Sequence, residues 1–269
     1  MHQGNQMSGN SVLFQLFNLQ LEAFIDQIKY STDHTKIHLS IQKAFSTYFC
    51  PCCESQVHEW LDWSSSYRKV ECPYCKLHPR QRLFWLHLNQ HPELLQGRLK
   101  ILHFAPEFVF RERFSIMPNL EYITADLNDP AVDIRIDITN IPYPDNTFNV
   151  ILCSHVLEHV PDDRQAMSEL WRVLKPGGWA FLQVPIDSSL TETFEDPTIT
   201  LPSDRLCHYG QEDHVRMYGL DYPDRLEAAG FIVNIEDVHQ RLSEAEQLKY
   251  GVLAHPEKLY FGLKSINSV

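Results

Sequence analysis

Four cysteines stand in two short pairs, Cys50-Pro-Cys-Cys53 and Cys72-Pro-Tyr-Cys75, with 18 residues between them. Thiolates at C-x2-C spacing converge on one centre, and two such turns can close a tetrahedron around Zn²⁺. Proline at the second position of each pair stiffens its turn. Cys52 lies inside the first pair and could compete, but the shared CP-x-C pattern favours Cys50, Cys53, Cys72 and Cys75 as the metal ligands. Four thiolates fill the coordination sphere, whereas a catalytic zinc keeps a position open for water. The expected role is therefore structural, or that of a substrate-docking element. The next stretch, HPRQRLFWLHL, puts Arg80 and Arg82 at the start of an apolar helix. A solvated helix start is the plainer reading; guanidinium groups there could also clamp an anionic group.

The second set of chemically able residues is spread out. Asp126 closes the run YITAD and Asp137 closes RID. Carboxylates at the carboxyl ends of strands line the crevice where open α/β sheets bind ligands, and one after the second strand suits a ribose diol. FNVILCSHVLEH brings His155, Glu158 and His159, and DHVRMYG brings Asp213, His214, Arg216 and Tyr218. Histidine titrates near working pH, so His155 and His214 are the candidate general bases. HVLEH is not HExxH, so no zinc-protease helix is implied. The long polar stretch 187–222 reads as a lid, with Asp213, Arg216 and Tyr218 suited to a small polar, sugar-like acceptor.

These residues need a frame. RLKILHFA, LEYITADL, VDIRIDI, FNVILCSH, the segment after KPGG, FIVNIEDV and EKLYFGLKS read as strands, with a helix around AMSELWRVL. Strands alternating with helices predict an α/β fold, with a mostly parallel sheet covered on both faces. Near the start, Leu13, Phe17, Leu21, Phe24 and Ile28 recur at helical spacing behind a possible Ser11 cap. The expected organisation is an N-terminal helical segment (1–45), a zinc-ribbon-like element with its following helix (46–97), and an α/β domain (98–269).

With 43% hydrophobic and 22% charged residues, the 269-residue chain can build a real core. Its net charge is −12, and the excess of acid falls in residues 100–269, with 27 Asp+Glu against 14 Lys+Arg. That disfavours gripping nucleic acid through its phosphates. No run reaches the roughly 18–20 apolar residues of a membrane span, and no signal peptide is evident. Seven cysteines, four of them in CxxC pairs, read as reduced thiols and metal, hence a cytoplasmic protein without a membrane partner.

At IPYPDNTFNVILCSHVLEHVPDD and LKPGGWAFLQVP the sequence resembles the class I S-adenosylmethionine (SAM) dependent methyltransferases, type 11-like. The likeness covers about residues 98–265 and is most specific over 139–185. It extends to a subgroup with a CxxC…CxxC element, an LHFAPE first motif and a DHVRMYG segment. The resemblance implies a Rossmann-like seven-stranded sheet with an antiparallel last strand, SAM as cofactor, and methyl transfer to a small-molecule acceptor. It puts Asp126 at the ribose hydroxyls, Asp137 and Ile138 beside the adenine, and Cys153, Ser154 and His155 at the methionine part. His103, Phe104, Ala105, Pro106 and Glu107 occupy the place of the usual glycine-rich loop, with Glu107 meeting the methionine ammonium. The missing glycines are a departure. They keep open a second reading, an inactive methyltransferase-like zinc-ribbon adaptor that binds a protein partner. A third is RNA or protein methylation with the zinc element as docking module.

Overall fold

The computed structural model describes residues 48–64 and 68–268. The expected helix over 11–28 and segment 1–45 lie outside the described residues.

Two small strands, β1 (Tyr48–Cys50) and β2 (Ser55–Val57), carry the first cysteine pair between them. An antiparallel bridge between Leu61 and Glu71 leads to the second pair. Helix α1 (Pro79–Gln90) follows, with Pro79 in its first turn, where the missing N–H costs nothing. Then come β3 (Leu99–Phe104), α2 (Phe108–Ser115), β4 (Leu120–Asp126), β5 (Ile134–Arg135) and β6 (Phe148–Ser154). Helix α3 (Asp163–Val173) starts at Asp162, whose carboxylate accepts the Gln165 N–H at 3.0 Å. It runs directly into β7 (Leu174–Gln183), and α4 (Pro202–Tyr209), α5 (Tyr222–Ala228), β8 (Ile232–Glu236) and β9 (Leu259–Leu263) complete the frame.

The strand order is β5-β4-β3-β6-β7-β9-β8. All pairs are parallel except those of β9, which is antiparallel to both β7 and β8. This is the expected α/β, Rossmann-like seven-stranded sheet with helices on both faces. Alternation along the strands assigns the faces. Leu102, Phe104, Ile151, Cys153, Ala180 and Leu182 pack with Met167, Leu170, Tyr222 and Leu226 from α3 and α5. On the opposite face Phe84 of α1 stacks on Phe181, with ring centroids 4.0 Å apart, and meets Phe110 of α2 at 5.7 Å.

α1 belongs to the sheet's cover, and the residues from Phe49 onward form one compact unit. The third expected strand, VDIRIDI, shrinks to two residues. Its acids are turned to local work: Asp133 accepts the Thr124 N–H at 2.9 Å and its hydroxyl at 2.7 Å, replacing a strand partner for β4. No helix among the described residues is long and apolar enough to cross a membrane.

Candidate functional site

The two cysteine pairs meet. Cys50 Sγ lies 3.6 Å from Cys75 Sγ, and Cys53 Sγ lies 3.8 Å from Cys72 Sγ. All four sulfurs fall within 4.8 Å of one another. A disulfide would need about 2.05 Å, whereas a tetrahedron with Zn–S bonds of about 2.3 Å has edges of about 3.8 Å. The residue after each pair, Glu54 at φ +57° and Lys76 at φ +63°, adopts the left-handed conformation, so both turns close in the same way. Cys52 is fully buried and gives its S–H to the Gln81 carbonyl at 3.6 Å. Burial, and then the neighbouring Cys50, push its thiol well above the usual range. Its sulfur is directed at that carbonyl, and Cys52 is not among the four clustered cysteines. Arg82 is fully buried, with its guanidinium 4.0 Å above the Trp60 ring, and donates to the carbonyls of Val70, Leu77 and Gly251. It ties the knuckle to the chain's far end and is no anion clamp. At Gly251 a Cβ would come within 2.4 Å of the Trp60 ring, so only glycine fits.

The carboxyl ends of β3, β4 and β6 carry the next group. Ala105, at φ +47°, and His155, at φ +56°, are both left-handed, one residue past β3 and β6. Each bend is pinned by its own N–H, to the Ala125 carbonyl and the Gln183 carbonyl respectively, both at 2.8 Å. For non-glycine residues this costs about 1–2 kcal/mol each. Ala105 thus makes the bend a glycine would make, and its exposed methyl leaves the main chain accessible. His103 is 2% exposed, bonds Tyr122 Oη through Nδ1 at 2.8 Å, and sets Nε2 3.5 Å from Glu107 Oε2. Gln81 Nε2 donates to Glu107 Oε1 at 3.2 Å. Burial opposes charge on Glu107, but His103 and Gln81 outweigh it and hold the carboxyl below its ordinary value.

A narrow crevice opens there, lined by Arg80, Gln81, His103, Glu107, Ser154 and Gln183 among others. Arg80 Nε is buried without a hydrogen-bond partner, and no Arg80–Glu107 ion pair forms within 4.0 Å. Farther along the edge, Asp126 Oδ1 accepts the N–H groups of Asn128 and Asp129 at 2.7 and 2.8 Å. Its other oxygen takes no hydrogen bond among the described residues. Asp137 is exposed, and Thr139 donates both its N–H and its hydroxyl to it, lowering its pKa. Ile138 is 5% exposed.

Beyond β6 the chain forms a short 3-10 turn, Leu157–His159. Glu158 there is fully buried. Its Oε1 lies 3.0 Å from His155 Nδ1 but not in hydrogen-bonding alignment, so both carboxylate oxygens are buried without a donor. His214 is 3% exposed and packs edge-on against the His159 ring at 4.7 Å. Its Nδ1 donates to the Tyr209 carbonyl at 3.1 Å, and its Nε2 is buried with no partner. Burial lowers its pKa. Asp213 Oδ2 lies 3.2 Å from His159 Nδ1. The structure therefore gathers Glu158, His159, Asp213 and His214, from segments far apart in sequence, beside His155.

Two expected substrate residues stand elsewhere. Arg216 is 2% exposed and Tyr218 fully buried. Arg216 donates to the carbonyls of Leu157, Val160 and Pro161 and to Glu195. Tyr218, kept protonated by burial, donates to Asp163 at 2.7 Å. Asp163 and Glu195 also bind Arg225, at 3.1 and 2.8 Å. Buried charges must be paired, and here the pairing uses the groups that would have faced a substrate. Arg216 instead clasps the turn carrying Glu158 and His159. The expected open lid is correspondingly a packed segment, with Tyr209, His214, Arg216 and Tyr218 inside. A bridge from Ile186 to Tyr218 joins it to the end of the sheet, and one from Phe194 to Met217 closes it on itself. The capping-box position of Gln81, three after His78, could have flagged that residue. Nothing local signals Asp163, Glu195 or Arg225.

Residues 115–182, about a quarter of the chain, match the family described as a methyltransferase domain. A stretch of 70 residues is 39% identical to an uncharacterized 37.1 kDa protein in transposon TN4556 of Streptomyces fradiae, covering 26% of this chain and 20% of that one. Another, of 88 residues, is 34% identical to the ubiquinone/menaquinone biosynthesis C-methyltransferase UbiE of Pasteurella multocida (strain Pm70), covering 26% and 33%. The chain thus spans between a fifth and a third of the length of these relatives. Among solved structures, an S-adenosylmethionine dependent methyltransferase from Mesorhizobium loti aligns at TM-score 0.45 and 15% identity, over 68% of this chain and 98% of that one.

Proposed function

We propose that this chain is a SAM-dependent methyltransferase acting on a small polar acceptor, with a structural Zn²⁺ held by Cys50, Cys53, Cys72 and Cys75. The observation that carries the reading is the crevice at the carboxyl edge, whose lining includes both Glu107 and Arg80, the latter with its Nε buried and without a hydrogen-bond partner. A carboxylate and a guanidinium so placed match the ammonium and carboxylate of an α-amino acid. Ser154 lines the same crevice, and Asp126 keeps an oxygen for a ribose hydroxyl. The family match supports this, because 115–182 contains Asp126, Asp137, Ile138, Ser154 and His155. The left-handed Ala105 removes the main objection, since the bend survives without glycine.

SAM brings an already activated methyl group, so the protein's task is chiefly proximity and orientation. Glu107, held charged by His103 and Gln81, would fix the amino-acid end. His155, at the strand tip with Glu158 behind it, is the residue placed to take a proton from an acceptor. His214, buried against Tyr209, is not so placed. Asp213 is the member of the DHVRMYG group left at the surface.

Calorimetry with SAM and its demethylated product tests the reading. Wild type should bind both, Glu107→Gln and Asp126→Asn should weaken SAM at least tenfold, and silence at millimolar ligand would refute the enzyme in favour of an adaptor. Labelled SAM incubated with fractionated cell extract should then reveal the acceptor.

A further inference from the structure

Around Glu158 three observations stand unexplained together. The carboxylate is fully buried, yet neither oxygen receives a hydrogen bond among the described residues. The His155 ring stands 3.0 Å from Oε1 without hydrogen-bonding alignment, and a buried carboxylate that lacks hydrogen bonds costs several kcal/mol. Beside it His214 Nε2 is buried and equally unpartnered. The Tyr209 carbonyl can only accept, so the His214 proton sits on Nδ1, and Nε2 presents a lone pair. Two bare acceptors facing one space repel unless a cation lies between them.

The third observation concerns His159. One nitrogen of this ring, together with a Glu158 oxygen and a His214 nitrogen, lies within 4.8 Å of the others. Both histidines have an oxygen near the other ring nitrogen: His214 Nδ1 donates to a main-chain carbonyl at 3.1 Å, and an Asp213 carboxylate oxygen lies 3.2 Å from His159 Nδ1, though not in hydrogen-bonding alignment. An oxygen acceptor on the far nitrogen is how metal-binding imidazoles are oriented and made more basic. Arg216 holds the turn bearing Glu158 and His159, and the Val215 N–H bonds the Glu158 carbonyl at 2.9 Å. The three groups are thus fixed relative to one another by main chain and buried side chains.

We propose that Glu158, His159 and His214 form a site for a divalent transition-metal ion, zinc being the best fit, distinct from the four-cysteine knuckle. Two imidazoles and one carboxylate suit Zn²⁺ and leave one tetrahedral position for water or a ligand oxygen. Asp213 is a positioning residue that acts through His159. The ion relieves the buried carboxylate and fastens the 187–222 segment to the tip of β6. The assignment is independent of the methyl-transfer reading, because its readout is bound metal.

The full chain, purified without a histidine tag, is equilibrated with Zn²⁺, passed into a buffer with a micromolar-affinity chelator, and its zinc counted per chain. Wild type should retain two equivalents. His159→Ala should retain one, and because that side chain is one-third exposed the variant should keep its circular dichroism. His214→Asn and Glu158→Gln should also lose one equivalent. Cys72→Ser should lose the other one and keep this one. Asp213→Asn should bind zinc at this site about 10–100-fold more weakly. Zinc content unchanged in both His159→Ala and His214→Asn would overturn the proposal, as would complete loss of zinc in a Cys72→Ser chain that keeps its circular dichroism.

Discussion

The cysteine knuckle and the tip of β6 are built in opposite ways. In the knuckle, the four clustered sulfurs come from two turns 18 residues apart, each of which brings two of them. At the tip of β6, Glu158 and His159 must wait for His214, more than fifty residues later, to be delivered by a segment that itself needs burying. The first is a local device that can direct folding; the second is a product of folding. One should therefore govern stability, and the other should depend on how firmly its segment is held.

The largest effect expected is at the knuckle. Cys72→Ser should release its metal and destabilise the chain by on the order of 5 kcal/mol, because binding of a structural metal is part of folding free energy. Metal content and thermal melting check this; an unchanged melting temperature would reduce the knuckle to an ornament. Next comes the network under the second region. Asp163→Asn leaves Arg216 and Arg225 buried with only Glu195 and Asp221 to face them, and breaking a buried pair typically costs about 3–5 kcal/mol. Urea denaturation should show that loss, and proteolysis within 187–222 should quicken. If the segment stays protected, the buried ion pairs are not what holds His214 in place.

The smallest effect serves as a reference away from both regions. Glu169 accepts from Arg172 and from the Ile141 N–H, and the Arg172 hydrogen bond is the main cause of its lowered pKa. A carboxyl depressed below its ordinary 4.5 adds stability that is complete above that pH and fades as pH falls through the folded-state value. Glu169→Gln should cost about 1–2 kcal/mol near neutrality, and the difference from wild type should narrow as pH falls below 4.5 towards the lower folded-state value. A difference that does not narrow at all on acidification would mean the loss is one of packing and not of charge.

How much of this was readable beforehand follows the same division. Strands announced themselves because fully covered parallel strands are near-continuous apolar runs, and each of the seven was placed. VDIRIDI was read too long, since nothing in the run says that Asp133 will bond Thr124 instead of leaving the strand to pair. The four-cysteine cluster was legible from spacing alone. Asp126, Asp137, Glu107 and Ser154 were legible as residues at strand tips, and they stand along the expected edge. Arg216 and Tyr218 misled because polar types in a polar stretch suggest a surface. Their partners Asp163, Glu195 and Arg225 lie far off in the chain, and only the folded arrangement reveals that these charges cancel inside. His214 carried the same ambiguity, its neighbours being equally remote.

Gln81 deserves a last consequence. Its main-chain oxygen receives the Cys52 thiol, its side-chain oxygen caps His78, and its amide reaches Glu107. On the proposed reading, a chelating agent that strips the cysteines of zinc would thus disturb the Glu107 seat without ever entering it. Inhibition by such an agent would mimic that of a competitor for the cleft, and only a kinetic comparison with intact cysteines could tell sabotage of the foundations from occupation of the room.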